Sequence, residues 1–390
     1  MSSSDFHRST TVPWKKISDR LDQKYTILGT FDLCAYDANM SALYAELSQF
    51  LSRTFTPDEK IVFCHFETDF YLNNTGFTVY NLQVILNLLD ISQSACIMLT
   101  LSYGVENEVH TAGRVICNDH YPMQVVANSY VTLVSTPDPA LGVQNNFDQI
   151  EFPFLCLNGR ERTHRIMVLC LMESLGILDK GIVTWNFAVT QNSLHKELPT
   201  TTPVPGVLLS TIPFMPINDR VCWNSELKEI YNQHYTKFIG KSSTHSLMSL
   251  YSSFEEVDWF DLEQGFAKSF LYVATETVFD YPNQLISEKI FKSFINRRPF
   301  VVVGPAYTLK RLHQLGFKTF DRIIDESYDD IADPSDRLLA VTDIVSTVSN
   351  YTVTELQQLA QDIEDIIEYN YDYYCNHYCK TDLDRLLETL

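Results

Sequence analysis

Ser287-Glu288-Lys289-Ile290-Phe291-Lys292, followed by Asn296-Arg297-Arg298-Pro299-Phe300-Val301-Val302-Val303-Gly304-Pro305, decides how this chain is read. Ser287 is a favourable N-cap. Glu288 and Lys289 therefore fall in the first turn of a short helix, where free N–H groups and the helix dipole favour an anion. An arginine pair and a proline separate this helix from an apolar strand, residues 300–303, that ends at Gly304-Pro305. A carboxylate in such a turn can accept two hydrogen bonds from a ribose diol. An ammonium beside it can neutralise a diphosphate. The pair suits a nucleotide-sugar donor.

Strands and helices alternate outward from this segment in both directions. Residues 25–33, 60–70, 95–101 and 124–135 read as strands, with helical spacing over 40–55 and 79–89. Residues 136–151, with Pro137, Pro139 and Gly142, mark a boundary. The pattern restarts with a strand at 152–157, the turn Asn158-Gly159, a helix at 163–175 and a strand at 181–189. Five prolines within 199–219 predict a loop. A unit of strand, helix, strand, helix and strand follows over 265–320, then helix from 334 and a long amphipathic helix at 354–369. Such alternation implies parallel sheets with helical crossovers. A chain of 390 residues exceeds what one core usually serves. The expected fold is α/β, with two Rossmann-like domains facing across a cleft. Residues 1–24 form a loose N-terminal segment, 25–140 an acceptor domain, 150–350 a nucleotide-sugar-binding domain and 351–390 a C-terminal helix.

The formal charge of −20 argues against duplex nucleic acid or an anionic membrane as the main partner. Any anion site must then be a local basic island. No run of about 18 apolar residues could span a bilayer, and residues 1–16 lack the apolar core of a signal peptide. A cytoplasmic location is expected. Most of the nine cysteines lie in apolar runs, as small core residues of a reducing compartment. Cys375 and Cys379 flank His377, but a metal there needs further ligands that the sequence does not identify.

The basic island is Asn158-Gly159-Arg160-Glu161-Arg162-Thr163-His164-Arg165. Three arginines and a histidine fall between a strand and the helix it feeds, at the edge where an open α/β sheet binds ligands. Arginine forks grip phosphate oxygens in pairs; a solvated, salt-bridged helix start is the plainer alternative. Upstream of Ser287, Glu276 could meet a sugar hydroxyl and Tyr281 could stack on a base, or the loop could simply pack through Phe279 and Tyr281. His65, Glu67 and Asp69 share one face of an extended strand. They offer a general base for an acceptor hydroxyl, or ligands for a divalent cation. The acids Asp325, Glu326, Asp329 and Asp330 would repel a diphosphate. They are expected to cap the helix near Pro334 and to pair with Arg322 or Arg337. No P-loop, serine elbow or zinc-protease signature is present.

With these residues in view, the segment from Glu276-Thr277 through Glu288-Lys289 to Arg298-Pro299-Phe300 resembles a block shared by proteins of tailed phages, marine ones especially. The likeness includes Gly316-Phe317-Lys318-Thr319-Phe320 and Asp325-Glu326-Ser327-Tyr328-Asp329, and is specific over about 152–337. The block is similar in turn to the donor-binding motif of α-1,3-fucosyltransferases, which have the two-Rossmann-domain architecture called GT-B. The resemblance implies that Arg165 (or Arg162) and Lys289 bind the diphosphate of a GDP-sugar, and that Glu288 binds its ribose. It implies a general base in the N-terminal domain, for which Glu67 is the candidate. Asn296-Arg297-Arg298-Pro299 departs from the family's glycine-valine-proline and leaves the sugar and nucleotide open.

The expected activity is transfer of a sugar from a nucleotide-diphosphate sugar to the hydroxyl of a glycan or other acceptor. Arg160, Arg162 and Lys292 support Arg165 and Lys289, and no metal cofactor is required. If phage-encoded, the chain would act in the infected host's cytoplasm. The competing expectation is a non-catalytic phage structural or host-interaction protein that keeps the fold. Glucosylation of DNA is a third, and the missing basic stripe counts against it.

Overall fold

Short apolar runs in this chain become strands covered on both faces, as parallel sheets with helical crossovers require. In the computed structural model, residues 19–33, 40–65, 79–100, 124–127, 146–159, 162–185, 187, 223–238, 259–280, 284 and 286–378 are described. The chain divides into two compact units, Met1–Val134 with His195–Ile217 and Lys380–Leu390, and Ser135–Leu194 with Asn218–Cys379. Each is a Rossmann-like α/β unit built on a four-stranded parallel sheet.

In the first unit, strands β1 (Thr26–Asp32), β2 (Glu59–His65), β3 (Cys96–Thr100) and β4 (Gln124–Ala127) lie in chain order. Helices α1 (Met40–Leu47) and α2 (Val79–Leu88) cross between them. Leu43 and Leu47 of α1 and Leu82, Ile85 and Leu86 of α2 bury against Phe31, Ile61, Phe63 and Met98 of the sheet.

In the second unit, β5 (Phe152–Asn158), β6 (Ile182–Trp185), β7 (Ser269–Thr275) and β8 (Phe300–Val303) stand in the order β6-β5-β7-β8. The chain moves outward from β5 to β6, then returns to the other side of β5. The order therefore reverses between β5 and β7, and the carboxyl ends of these two strands flank a topological switch point. Helices α3 (Thr163–Ser174), α4 (Ser225–His234) and α5 (Trp259–Lys268) connect β5 to β7. Then come α6 (Glu288–Ile295), α7 (Thr308–Gln314), α8 (Pro334–Val348), α9 (Val353–Asp362) and α10 (Glu364–Asp372). All seven side chains of β7 are buried.

The helices after residue 351, set apart from sequence as a C-terminal segment, pack into this second unit. Phe291 and Phe294 of α6 meet Phe317 and Tyr374, with the rings of Phe294 and Phe317 stacked at 4.3 Å. The amphipathic helix expected over 354–369 is two helices that break at Ile363. The Asp362 carbonyl, which a continuous helix would bond internally, instead accepts from Arg322 Nη1 at 2.6 Å.

Residues 316–320 do not form the expected strand. Their main-chain groups are satisfied by side chains. Lys318 N–H and C=O both bond the Asn370 amide (2.9 and 2.8 Å), and Phe320 N–H donates to Glu326 Oε1 at 2.5 Å. β8 is thus an edge strand of the described sheet, and its Val302 N–H donates to the Tyr328 hydroxyl at 3.1 Å.

The acids at 325–330 also act differently from expectation. Asp333, not they, caps α8. The Asp329 carboxylate accepts from Leu309 N and Lys310 N, at 3.0 Å each, and so caps α7 from outside. Arg322 pairs with Asp365, as a bidentate surface contact. Arg337 spreads over the carbonyls of Phe279, Gly304, Ile331 and Ala332.

Two non-glycine residues near these turns are left-handed, Arg297 (φ 50°) and Tyr307 (φ 65°). Such a conformation costs roughly 1–2 kcal/mol for a residue with a Cβ. At Arg297 the side chain offsets this cost, with its guanidinium 3.4 Å over the Tyr371 ring and its Nε 3.1 Å from Glu368. Arg298, also in the departure from the fucosyltransferase pattern, donates to Phe266 O, Ala267 O and Ser269 O and closes the end of α5.

Asn370→Ala should strand both main-chain groups of Lys318 and cost about 1–3 kcal/mol. Chemical denaturation should show that loss; an unaltered midpoint would mean that water or a neighbour replaces the amide.

Candidate functional site

The site grows from the end of β7. There Thr275 Oγ1 donates to Asn158 Oδ1 of β5 at 3.0 Å, joining the two strands at the switch point. Beyond the last ladder bond, the carbonyls of Thr275 and Glu276 have no strand to accept, and buried carbonyls need donors. Helix α3 supplies them from its first turn. His164 Nε2 lies 2.9 Å from Glu276 O, and Arg165 Nη2 donates to Thr275 O at 3.2 Å and Glu276 O at 3.0 Å. A carbonyl only accepts, so the His164 proton sits on Nε2.

The Glu276 carboxylate organises the other side. Oε1 accepts from Ser287 N at 3.2 Å, while Oε2 accepts from Ser287 Oγ at 2.5 Å and Thr277 N at 3.2 Å. Ser287 Oγ in turn accepts from Lys289 N, at 3.3 Å, and caps α6. The Lys289 ammonium lies 3.2 Å from that same hydroxyl and 3.1 Å from Thr277 Oγ1.

The electrostatics fit a basic island in an acidic chain. Burial holds the His164 imidazole well below its usual pKa, and the nearby charges of Arg165, Arg162 and Lys289 depress it further. The histidine is a neutral donor among three cations. Its ring stacks on Phe279 at 5.7 Å, and the Arg337 guanidinium lies 4.6 Å from the Phe279 ring. Arg337 thereby supports the loop that runs from Glu276 towards Ser287.

Arg165 from one crossover, and Ser287 and Lys289 from another, thus converge on the segment 275–277, which includes Glu276. Arg162, the N-cap of α3, is buried and close enough to act on His164. Lys292 lies half-buried one turn beyond Lys289 on α6. Glu288 takes the first position of α6, with its side chain outside the described residues. Glu67, Asp69, Arg160 and Tyr281 lie outside them altogether. Glu276, expected to reach a sugar hydroxyl, is 0% exposed and spends its carboxylate on Ser287 and Thr277. It holds the site together from behind.

Sequence reading passed over the work of Thr275, Thr277 and Arg337. Two threonines flanking a glutamate at a strand end carry no motif, and Arg337 lies 58 residues from the Phe279 carbonyl that it binds. No helix among the described residues is long and apolar enough to cross a membrane. Among the same residues no group of three or more histidines, cysteines or acids is placed to hold a metal ion.

No family model matches the chain, and no curated protein matches it in sequence. Among solved structures, it is similar to one described as trehalose-6-phosphate from E. coli bound with UDP-2-fluoro glucose. The identity is 10%, the TM-score 0.38, and the overlap covers 90% of this chain and 77% of the other.

His164 sets a pH dependence. Its folded pKa is depressed below 6.5, so the unfolded chain takes up a proton that the folded one refuses. Stability contributed by neutral His164 is present above about pH 6.5 and is lost as pH falls, by up to about 1.4 kcal/mol per pH unit. His164→Gln keeps a donor that does not titrate. Thermal melts from about pH 7 to about pH 5 should show a shallower decline for this variant than for the wild type. Parallel declines would rule out the neutral histidine as their cause.

Proposed function

We propose that the second unit binds a nucleoside-diphosphate sugar and that the chain is a glycosyltransferase acting on an acceptor hydroxyl. One observation carries the reading: Arg165 and Lys289, from different crossovers, contact adjoining residues at the switch point of a parallel sheet, Arg165 at Thr275 and Glu276 and Lys289 at Thr277. The surrounding chain carries a net charge of −20, so this positive island is selective for an anion. Charge that stands in place before reaction stabilises a departing diphosphate without reorganisation.

In this reading Lys289 and the first turn of α6 meet the diphosphate, and Glu288 binds the ribose diol. Arg165 and His164 fix the strand end, and Arg165 contributes positive charge; Arg160, Arg162 and Lys292 add to it. No metal is needed to neutralise the leaving group. Glu67, with Asp69 two residues on, takes the proton of the acceptor hydroxyl as its oxygen bonds the sugar carbon and the bond from that carbon to the diphosphate breaks, releasing the nucleoside diphosphate. A GDP-sugar is the first donor to test, on the resemblance of the Glu288-Lys289 block to fucosyltransferases.

Arg165 donating to main-chain carbonyls also favours a second reading, in which the same residues only hold a retained fold together and nothing is transferred. A thermal-shift screen separates the two. At about one hundred times Kd a nucleotide should stabilise by about 2.7 kcal/mol, a shift of several degrees. GDP or UDP should raise the melting temperature, Lys289→Ala should abolish the rise, and release of nucleotide from the sugar donor should follow. No shift with any nucleotide or nucleotide sugar would leave the non-catalytic reading standing.

A further inference from the structure

Position 307 breaks two local rules together. It is the N-cap of α7, where a short polar residue or glycine is favoured, and its backbone is left-handed, at φ 65° and ψ 18°. Tyrosine suits neither role, and its side chain makes no capping bond. The capping comes from Asp329, which binds Leu309 N and Lys310 N through its carboxylate and Tyr307 N through its carbonyl, the last at 2.8 Å. The strained backbone is therefore imposed from outside. Tyr307 is nonetheless 41% exposed, so part of this large side chain stands in solvent. A strained backbone that leaves a large aromatic residue partly in solvent points to function.

The location says which function. Tyr307 ends the turn Gly304-Pro305-Ala306 that leaves β8, and that turn abuts the candidate site. Glu276 N donates to Val303 O at 2.9 Å, and a Cβ placed on Gly304 would lie 3.5 Å from Glu276 Cβ and Cγ. Gln284, three residues before Ser287, donates from Nε2 to Ala306 O at 3.3 Å. The loop that delivers Ser287 and Lys289 is thus stitched to the turn that presents Tyr307. The Lys310 ammonium lies 5.6 Å from the ring centroid, so the ring and a cation stand together at the carboxyl edge of the sheet.

We infer that Tyr307 is a stacking platform for the base of the bound nucleotide. This rests on the nucleotide-sugar reading and adds to it the residue and the mode of base recognition. Aromatic stacking tolerates any base, because each has a π-face. A purine covers more of a phenol ring than a pyrimidine does, so GDP should gain more from this platform than UDP.

Calorimetric titration of the full chain with GDP, UDP and inorganic pyrophosphate tests the idea, using Tyr307→Phe, Tyr307→Ala and Tyr307→Gly. The phenylalanine variant should match the wild type. The alanine and glycine variants should bind GDP about tenfold or more weakly, with pyrophosphate affinity unchanged. Tyr307→Gly relieves the left-handed backbone, so its melting temperature should stay level or rise by about 2–4 °C, which separates lost binding from lost folding. Unchanged GDP affinity in the alanine and glycine variants overturns the platform, as does an equal loss for pyrophosphate. If Lys289→Ala abolishes GDP binding while Tyr307→Ala leaves it intact, only the platform fails. If the wild type binds neither nucleotide nor pyrophosphate, the donor-site reading fails and the platform goes with it.

Discussion

The carbonyl oxygen of Glu276 is the point on which the second unit turns. It lies past the end of β7, in the interior, where an acceptor left unpaired costs about as much as a lost hydrogen bond. Its donors come from His164 and Arg165, more than 100 residues earlier in the chain. That one requirement ties α3 to the end of β7 and brings positive charge to the reversal in strand order. The Glu276 side chain then extends the arrangement in the opposite direction, through Ser287 to the first turn of α6 and the Lys289 ammonium.

Such an arrangement is costly in a fold with less support. Arginines at the N-terminal end of a helix oppose its dipole, and burial penalises their charge. Hydrogen bonds to carbonyls offset part of that penalty, because the guanidinium offers five donors in a fixed fork. His164 avoids it by staying neutral, held so by burial and by the same arginines. The result is a cluster of Arg162, Arg165 and Lys289 around a neutral histidine, with the buried Glu276 carboxylate among them, on a chain of net charge −20.

Side chains that reach across the fold to finish another element's backbone recur throughout this unit. Arg298 closes α5, Asp329 opens α7, Asn370 holds Lys318, and Arg337 gathers the carbonyls of two loops. They explain why the ladder of the described sheet stops at β8. Tyr307 belongs to the same economy, since its strained backbone persists only because Asp329 holds the turn around it.

Hydrophobic periodicity alone revealed the alternation of strands and helices, because parallel strands read as short apolar runs and their crossovers as helical ones. The N-cap at Ser287 and the basic turn from Asn158 to Arg165 were legible too, since capping and charge are local properties of neighbouring residues. The break at Ile363, the lost strand at 316–320 and the caps lent by Asp329 and Asn370 were not. Each depends on a partner between about 20 and 50 residues away, and no local pattern encodes which distant side chain will satisfy a given carbonyl. Local sequence therefore determined the elements and the residue types of the candidate site. Tertiary packing alone decided that Glu276 would face inward and bind Ser287, because only the folded sheet turns that carboxylate away from solvent.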